Sequence, residues 1–229
     1  MNCYNDHYYV TYVREWGRVA DTNMQQKSIP FLSIWRHPRG TMRGLIARRS
    51  LVPAYIFASA SGIVNAVDFI QGSDWIDPYA DGTMKLVYAV GGGLVSGILF
   101  LLLLSLVFMF FGRWVGGQGK FSELTTAVGW AMLPFIGTLA VTIIEFILYG
   151  EVYLAGGEAL AQAQAAHPVI DLVLMLITLF FAVYAIIFLV AGLAEAHRIK
   201  ATQGAAVLMI FVILYLVLLI TVQALSIGI

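Results

Sequence analysis

The sequence predicts an all-α integral membrane protein, a bundle of five transmembrane helices preceded by an interfacial amphipathic helix. Composition is the first reason, because 60% of the 229 residues are hydrophobic and only 11% are charged, whereas soluble domains carry about 25% charged residues. The mean hydropathy of +0.86 is the second reason, and five long apolar segments are the third. These features exclude a disordered chain, a coiled coil and a soluble globular domain. The balance of 13 Lys and Arg against 13 Asp and Glu argues against a nucleic-acid partner.

Five segments are long enough to cross a bilayer, which takes about 20 mostly apolar residues. They are predicted at about 51–70, 86–111, 125–149, 169–194 and 204–227. A barrel would show short alternating segments, so these unbroken ones predict helices. The chain then divides into a polar head (1–28), a basic interfacial segment (29–50) and a five-helix transmembrane domain (51–229).

The distribution of Lys and Arg predicts the orientation of the bundle, since cytoplasmic loops carry an excess of these residues. Eight precede the first span, two follow the second and two follow the fourth, whereas the opposite side has only Lys85. We therefore expect a multi-pass protein of the bacterial inner (plasma) membrane, with a cytoplasmic N-terminus and a periplasmic or extracellular C-terminus. The predicted outer loops are acidic; their carboxylates are Asp74, Asp77, Asp81, Glu151 and Glu158.

The basic segment before the first span has the pattern of a helix lying on a membrane surface. Met42, Leu45 and Ile46 recur at helical spacing among arginines, and Pro38 suits a first helical turn. Such a helix is expected to bind an anionic inner leaflet, although the same residues are compatible with simple topology anchoring. The predicted lipid contacts are Trp35, Arg36, Arg39, Arg43, Arg48 and Arg49.

Carboxylates within the predicted spans are the strongest candidates for a functional site, because ionisable groups in a membrane are costly. Thr138, Thr142, Glu145 and Tyr149 form one polar stripe on the third span. A second stripe on the first span contains Ser61, Asn65 and Asp68, and the fourth span begins near Asp171. The predicted intramembrane polar site consists of Glu145, Asp68, Asp171, Asn65 and Thr142. The alternative is that these carboxylates are simply hydrated at the outer interface.

Pro134 interrupts the third span between Gly129 and Gly137, and proline removes a backbone hydrogen bond from a helix. These three residues predict a hinge or, alternatively, a static kink. Gly93 and Gly97 have the small-residue spacing that lets two helices approach closely, which predicts packing within the chain or a dimer contact.

No local motif predicts an enzyme. The single cysteine, Cys3, excludes an intrachain disulfide, and the chain contains neither H-E-x-x-H nor G-x-S-x-G. The glycine-rich loop at 116–120 lacks the residues of a phosphate-binding loop. His197, with Arg198 and Lys200, is expected to anchor the inner interface. We expect no catalytic residues, no cofactor and no metal.

Three segments resemble motifs of the Yip1 family, in particular its bacterial branch. They are WRHPRGTMR at 35–43, GGQGKFSEL at 116–124 followed by Gly129-Trp130-Ala131 and Pro134, and LAEAH at 193–197 followed by Gly204-Ala205-Ala206. The resemblance runs from about residue 29 to the C-terminus and implies a five-helix membrane bundle with a cytoplasmic N-terminus. Eukaryotic members act in vesicle traffic with Rab GTPases and other family members, a role that does not transfer simply to this chain.

Two functions follow as hypotheses. The first is a non-enzymatic membrane protein that organises lipid or binds partners, which would be membrane proteins or a second copy of the chain. The second is a small transporter or channel subunit whose acidic residues line a path; an intramembrane enzyme is a more remote third. Polar stripes that face each other around a cavity would favour transport, whereas a dry bundle with a lipid-filled groove would favour interaction.

Overall fold

The structure, a computed structural model, describes residues 30–72 and 82–227. All regular secondary structure within these ranges is α-helical. The helices are α1 (Pro30–Arg36), α2 (Pro38–Ala47), α3 (Leu51–Gly72), α4 (Gly82–Trp114), α5 (Phe121–Ala131), α6 (Phe135–Tyr149), α7 (Glu151–Ala155), α8 (Gly157–Ala165), α9 (Pro168–His197) and α10 (Ala201–Ile227). The predicted polar head (1–28) and the acidic loop with Asp74, Asp77 and Asp81 lie outside the described residues.

Four helices, α3, α4, α9 and α10, are each long and apolar enough to cross a membrane. The shortest has 22 residues, which extend over about 33 Å at a rise of about 1.5 Å per residue. Helices α5 and α6 pass the same test together and form a fifth span if the bent pair is counted as one. The predicted all-α membrane bundle is thus confirmed, and its spans extend a few residues beyond their predicted bounds.

The third span is broken where proline interrupts it. Helix α5 ends at Ala131, α6 begins at Phe135, and their axes differ by 40°. Five hydrogen bonds that run from an N–H to the carbonyl three residues earlier cross the break, the first from Met132 to Gly129 and the last from Gly137 to Pro134. Proline accounts for the break, because its ring displaces the carbonyl four residues before it and it has no N–H to donate.

Glycines allow α3 and α4 to touch along their backbones, and this pair has the most extensive interface between any two described helices. A Cβ at Gly93 would lie 2.5 Å from the Cα of Ile63, and one at Gly62 would lie 2.6 Å from the Cα of Gly97. In lipid, small residues allow helices to associate through this kind of close backbone approach. Gly93 and Gly97 therefore pack within the chain.

The helices before the first span pack on the bundle. Helix α2 begins at Pro38, as predicted, and Met42, Leu45 and Ile46 are buried in the main hydrophobic core with Trp130 and Phe188. We expected this apolar face to lie in lipid. It packs on protein instead, because α5 and α9 present large apolar side chains at this end.

Two short helices, α7 and α8, occupy the connection that the sequence predicts as an acidic outer loop with Glu151 and Glu158. Tyr153, Leu154 and Leu160 are buried there in a second core with Val67 and Ile70 of α3. The helices are short because glycines with positive φ separate them, at Gly150, Gly156 and Gly157. They cover this end of the bundle and complete the cavity described next.

Candidate functional site

The two ends of the bundle differ in charge. Nine of the ten Lys and Arg residues that the structure describes lie at the end formed by α2 and by the connections after α4 and α9, which we call the basic end. The opposite, acidic end has Lys85 against Asp68, Glu145, Glu151, Glu158 and Asp171.

A polar cavity of about 270 Å³, the acidic cavity, lies near the acidic end. Three spans, α3, α6 and α9, contribute to it, and α7 and α8 each add one residue to its wall, Tyr153 and Gln164. Its wall contains three carboxylates and three threonine hydroxyls, those of Asp68, Glu145, Asp171, Thr138, Thr142 and Thr178. Thr138, Thr142 and Glu145 of the stripe on the third span therefore share this cavity with Asp68 of the stripe on the first. Asp171, at the start of the fourth span, joins them.

Four of the five predicted site residues line this cavity, and Asn65 does not. Its amide donates a 2.8 Å hydrogen bond to the carbonyl of Ser61, one turn earlier on the same helix. On α3 the cavity is reached by Val64 and Asp68, which are four residues apart and share a face. Asn65 lies about 100° around the helix from Val64, on a neighbouring face, and a functional role for it stays a prediction.

Among the described residues, Glu145 is the one cavity carboxylate that accepts a hydrogen bond from another side chain. The hydroxyl of Tyr153 donates to it over 2.8 Å, and Tyr153 is 5% exposed. Burial and the neighbouring Glu145 carboxylate raise the pKa of Tyr153, so the phenol stays protonated and remains a donor. Gln71 holds this segment in place by donating to the carbonyl of Tyr153 over 2.8 Å.

The cavity wall is chemically suited to a cation or a proton. No Lys, Arg or His of the described residues lines it, and its carboxylates are reachable because Asp68 is exposed and Glu145 and Asp171 are partly exposed. Within 30–72 and 82–227, no group of three His, Cys, Asp or Glu side chains is placed to hold a metal ion. The three carboxylates therefore surround a space and do not converge on one point.

The sequence also contained weaker signals for other lining residues. Thr178 lies seven residues after Asp171, two turns along the same face of α9, so extending the stripe analysis to the fourth span would have found it. Tyr153 and Gln164 come from α7 and α8, and no periodicity pointed to them.

A second group of polar side chains, the inner polar cluster, lies at the basic end. Its centre is Glu195, whose side chain is fully buried near the end of α9. Arg39 and Arg43, one turn apart on α2, each approach a different carboxylate oxygen at 2.9 Å. These ion pairs attach α2 to the end of α9.

His197 belongs to the same cluster and is 1% exposed, which corrects the expectation that it anchors the membrane interface. The N–H of Gly119 donates to its Nδ1 over 3.2 Å, so its Nε2 carries the proton and donates to the carbonyl of Phe108 over 3.0 Å. Gly112 and Gly117 also contact the ring, and a Cβ at either position would collide with it. The glycine-rich loop thus makes room for an imidazole.

Arg198 completes the cluster by an ion pair of 2.8 Å to Glu123, at the start of α5. It adopts a left-handed conformation with φ of 58°, which ends α9. The three segments that resemble family motifs therefore meet here, since the first supplies Arg39 and Arg43, the second Gly119 and Glu123, and the third Glu195 and His197.

The residues predicted to contact lipid fall into two groups. Trp35 packs against aromatic rings of α9, with ring centroids 4.7 Å from Tyr184 and 5.2 Å from Phe188, and Arg39 and Arg43 bind Glu195. These three have protein partners, which the sequence did not predict. Arg36, Arg48 and Arg49 are exposed.

The glycines on either side of Pro134 lie at helix contacts. A Cβ at Gly129 would meet Ala54 of α3, and one at Gly137 would meet the ring of Phe181 on α9. Both positions thus serve close packing next to the break, and a hinge at this point stays a prediction.

A family model described as the Yip1 domain matches residues 32–222, which is more than four-fifths of the chain. No curated protein and no solved structure matches the chain.

Proposed function

The chain belongs to the Yip1 family, and from this premise we propose that it is a non-enzymatic, multi-pass membrane protein that binds a small cationic group in its acidic cavity. The observation that carries the proposal is that Asp68, Glu145 and Asp171, from three different spans, meet around one cavity. The part of the chain that the structure describes places no Lys, Arg or His in the wall of this cavity. Carboxylates within a membrane are energetically costly, and those that occur there usually serve a function. A bound cation would offset that cost.

The size and geometry of the cavity limit what it accepts. Its 270 Å³ is just below the range of about 300–1,000 Å³ that is usual for sites of drug-sized ligands. The carboxylates do not converge on a point, as a chelated metal ion would require. A proton, a hydrated monovalent cation or an ammonium group fits these limits.

An ammonium group has two sources, the headgroup of a membrane lipid and a free solute. Binding of a lipid amine corresponds to membrane organisation and is favoured by the closed basic end, where Trp130, Phe188 and Leu193 are buried in the main core. Movement of a free cation corresponds to transport. It is favoured by the broken third span, whose outer half carries Thr138, Thr142 and Glu145, since discontinuous helices form the ion sites of many transporters.

Reconstitution in liposomes separates these two sources. One set of vesicles contains a trapped cation-sensitive or pH-sensitive dye, and the other contains phosphatidylethanolamine with a fluorescent tag on an acyl chain, which leaves the amine free. Lipid redistribution without flux supports the lipid amine, and flux supports transport; both should be lost in Glu145→Gln combined with Asp68→Asn. The matched control is Glu158→Gln, an exposed carboxylate at the same end that does not line the cavity. The proposal would be overturned if the wild-type protein shows no cation flux and no lipid redistribution and also retains no phosphatidylethanolamine on purification.

We further propose that the basic end faces the cytoplasm of a bacterial inner membrane. The support is the separation of charge between the two ends, which follows the positive-inside rule. In a Cys3→Ser background, Gln118→Cys at the basic end should resist a membrane-impermeant maleimide in intact spheroplasts. Gln162→Cys on α8 should react. The reverse labelling pattern would contradict this orientation.

A further inference from the structure

Six exposed cations surround the basic end of the bundle and form a surface that we call the basic rim. They come from three segments distant in sequence. The first, which we call the entry segment, consists of α1, α2 and the connection that follows α2; the second is the end of α4 with the connection after it, and the third is the connection after α9. The six are Arg36, Arg48, Arg49, Arg113, Lys120 and Lys200. A rim built from three segments is broader than the entry segment alone, which the sequence pattern had singled out.

No carboxylate of the described residues neutralises these cations. Glu123 and Glu195 are the acidic residues that the described ranges place at this end, and each is already paired, with Arg198 and with Arg39 and Arg43. Because Glu195 holds Arg39 and Arg43, it fixes α2 against the bundle and leaves the arginines at the ends of the entry segment on the surface. The rim therefore has a positive charge that the described residues leave available to an external anion.

Exposed aromatic side chains indicate that this anion belongs to a lipid. Trp114 is 62% exposed directly beside Arg113, and its ring packs 5.0 Å from that of Phe110, which is also exposed on the same helix end. Tryptophan at the end of a span is typical of the boundary between hydrocarbon and headgroups. A lipid offers an acyl chain to these exposed apolar rings and a phosphate to the neighbouring guanidinium, whereas a soluble acidic protein or a nucleic acid offers no acyl chain.

We propose that the basic rim binds the phosphate groups of anionic phospholipids, with Arg113, Lys120 and Lys200 as contacts beyond the entry segment. This surface is independent of the acidic cavity, because it lies at the other end of the bundle and involves none of the cavity residues. A juxtamembrane Lys or Arg strengthens binding to an anionic surface by about fivefold at moderate salt. Loss of three such residues is thus expected to weaken the preference for anionic over zwitterionic phospholipids by one to two orders of magnitude.

Tryptophan fluorescence in mixed micelles measures this preference, with brominated phosphatidylglycerol and brominated phosphatidylcholine as the quenching lipids. For the wild-type chain we expect tighter binding of phosphatidylglycerol, and we expect the difference to shrink as salt rises. Arg113→Gln with Lys120→Gln and Lys200→Gln should lose at least tenfold of this preference. The matched control, Lys85→Gln, removes a cation at the opposite end and should keep it.

A second variant, Arg36→Gln with Arg48→Gln, tests the entry segment by the same measurement and should also lose part of the preference. Thermal unfolding of each variant in detergent establishes that it remains folded, since all five residues are exposed. Equal quenching by the two lipids in the wild type would overturn the proposal. A triple variant that behaves like Lys85→Gln would overturn it as well.

Discussion

The acidic cavity and the inner polar cluster each contain carboxylates from the membrane domain, but the two regions treat them in opposite ways. In the inner polar cluster, Glu195 is fully buried and is met by Arg39 and Arg43 at 2.9 Å. In the acidic cavity, Asp68 and Asp171 have no recorded hydrogen bond or ion pair among the described residues, and Glu145 has one, to Tyr153. One region has its polar groups satisfied from within the chain, and the other leaves them available.

This difference separates a structural role, that of Glu195, from the functional role that we propose for the cavity carboxylates. A buried carboxylate must be paired, since an isolated charge in a low-dielectric interior is costly. Glu195 meets this requirement and thereby connects α2 to α9. The cavity carboxylates are partly exposed and incompletely paired, as expected of groups that await a ligand. Variants in the two regions should therefore affect different quantities, stability in the first and binding in the second.

The largest effect on stability is expected for the double variant Arg39→Ala with Arg43→Ala. It leaves the carboxylate of Glu195 buried without a countercharge, and removing the partner of a buried ion pair costs about 3–5 kcal/mol. Equilibrium unfolding of the purified protein in a denaturing detergent measures this change in the free energy of unfolding.

The control for this double variant is Arg48→Ala, which removes an exposed arginine from the same segment. It should change the free energy of unfolding by no more than about 0.5 kcal/mol. Equal losses in the two proteins would show that Glu195 is not the reason for the arginines at 39 and 43.

The next largest effect is expected for Gly112→Ala. The added Cβ would collide with the imidazole of His197, and overpacking of this kind costs about 1–3 kcal/mol. Gly92→Ala is the matched control, because it lies on the same helix with no atom within 4 Å of the added Cβ. It should be neutral or stabilising, since alanine favours a helix over glycine by about 0.5–1 kcal/mol. Thermal unfolding by circular dichroism compares the two, and a Gly112→Ala protein as stable as the wild type would argue against a tightly enclosed His197.

The contrast between the two regions also shows what the sequence could predict. The spans, the break at Pro134 and the polar stripes all depend on local spacing, which can be counted along the chain. Asp68, Glu145 and Asp171 were identified in this way, because each is an ionisable residue in or beside an otherwise apolar segment. Local periodicity does not resolve the exact face of a helix, and for that reason it did not separate Asn65 from the residues that line the cavity.

The inner polar cluster could not be predicted, since its contacts join residues far apart in sequence. Arg39 and Glu195 are separated by 156 positions, and nothing in the local pattern of either residue identifies the other. The sequence predicts an interfacial position for His197, because the basic residues Arg198 and Lys200 follow it. Its burial depends on glycines in a different loop, so that only the tertiary arrangement reveals it.

A third prediction concerns Glu145→Gln and Asp68→Asn, which should leave the fold intact and abolish the function of the cavity. Both side chains are partly exposed, so their loss should alter the free energy of unfolding by less than about 1 kcal/mol. Cation binding or flux should fall by at least tenfold, and more than in Asp74→Asn or Glu158→Gln. Liposomes with a trapped dye compare the four substitutions. Equal effects would mean that cation binding depends on the overall negative charge at this end and does not depend on the cavity.

The smallest effect is expected for Tyr153→Phe, and it has an unusually close control. Tyr153 donates a hydrogen bond to Glu145, and its raised pKa keeps the phenol protonated as a donor at neutral and moderately alkaline pH. Loss of this bond should cost about 1 kcal/mol and weaken cation binding a few-fold, because Glu145 is no longer held in one orientation. Tyr149→Phe removes a buried hydroxyl that has no recorded partner among the described residues, so it should be neutral or slightly stabilising and should not change binding. If both tyrosines behave alike in isothermal titration and in thermal unfolding, the hydrogen bond to Glu145 does not organise the cavity, and the three carboxylates act without help from α7.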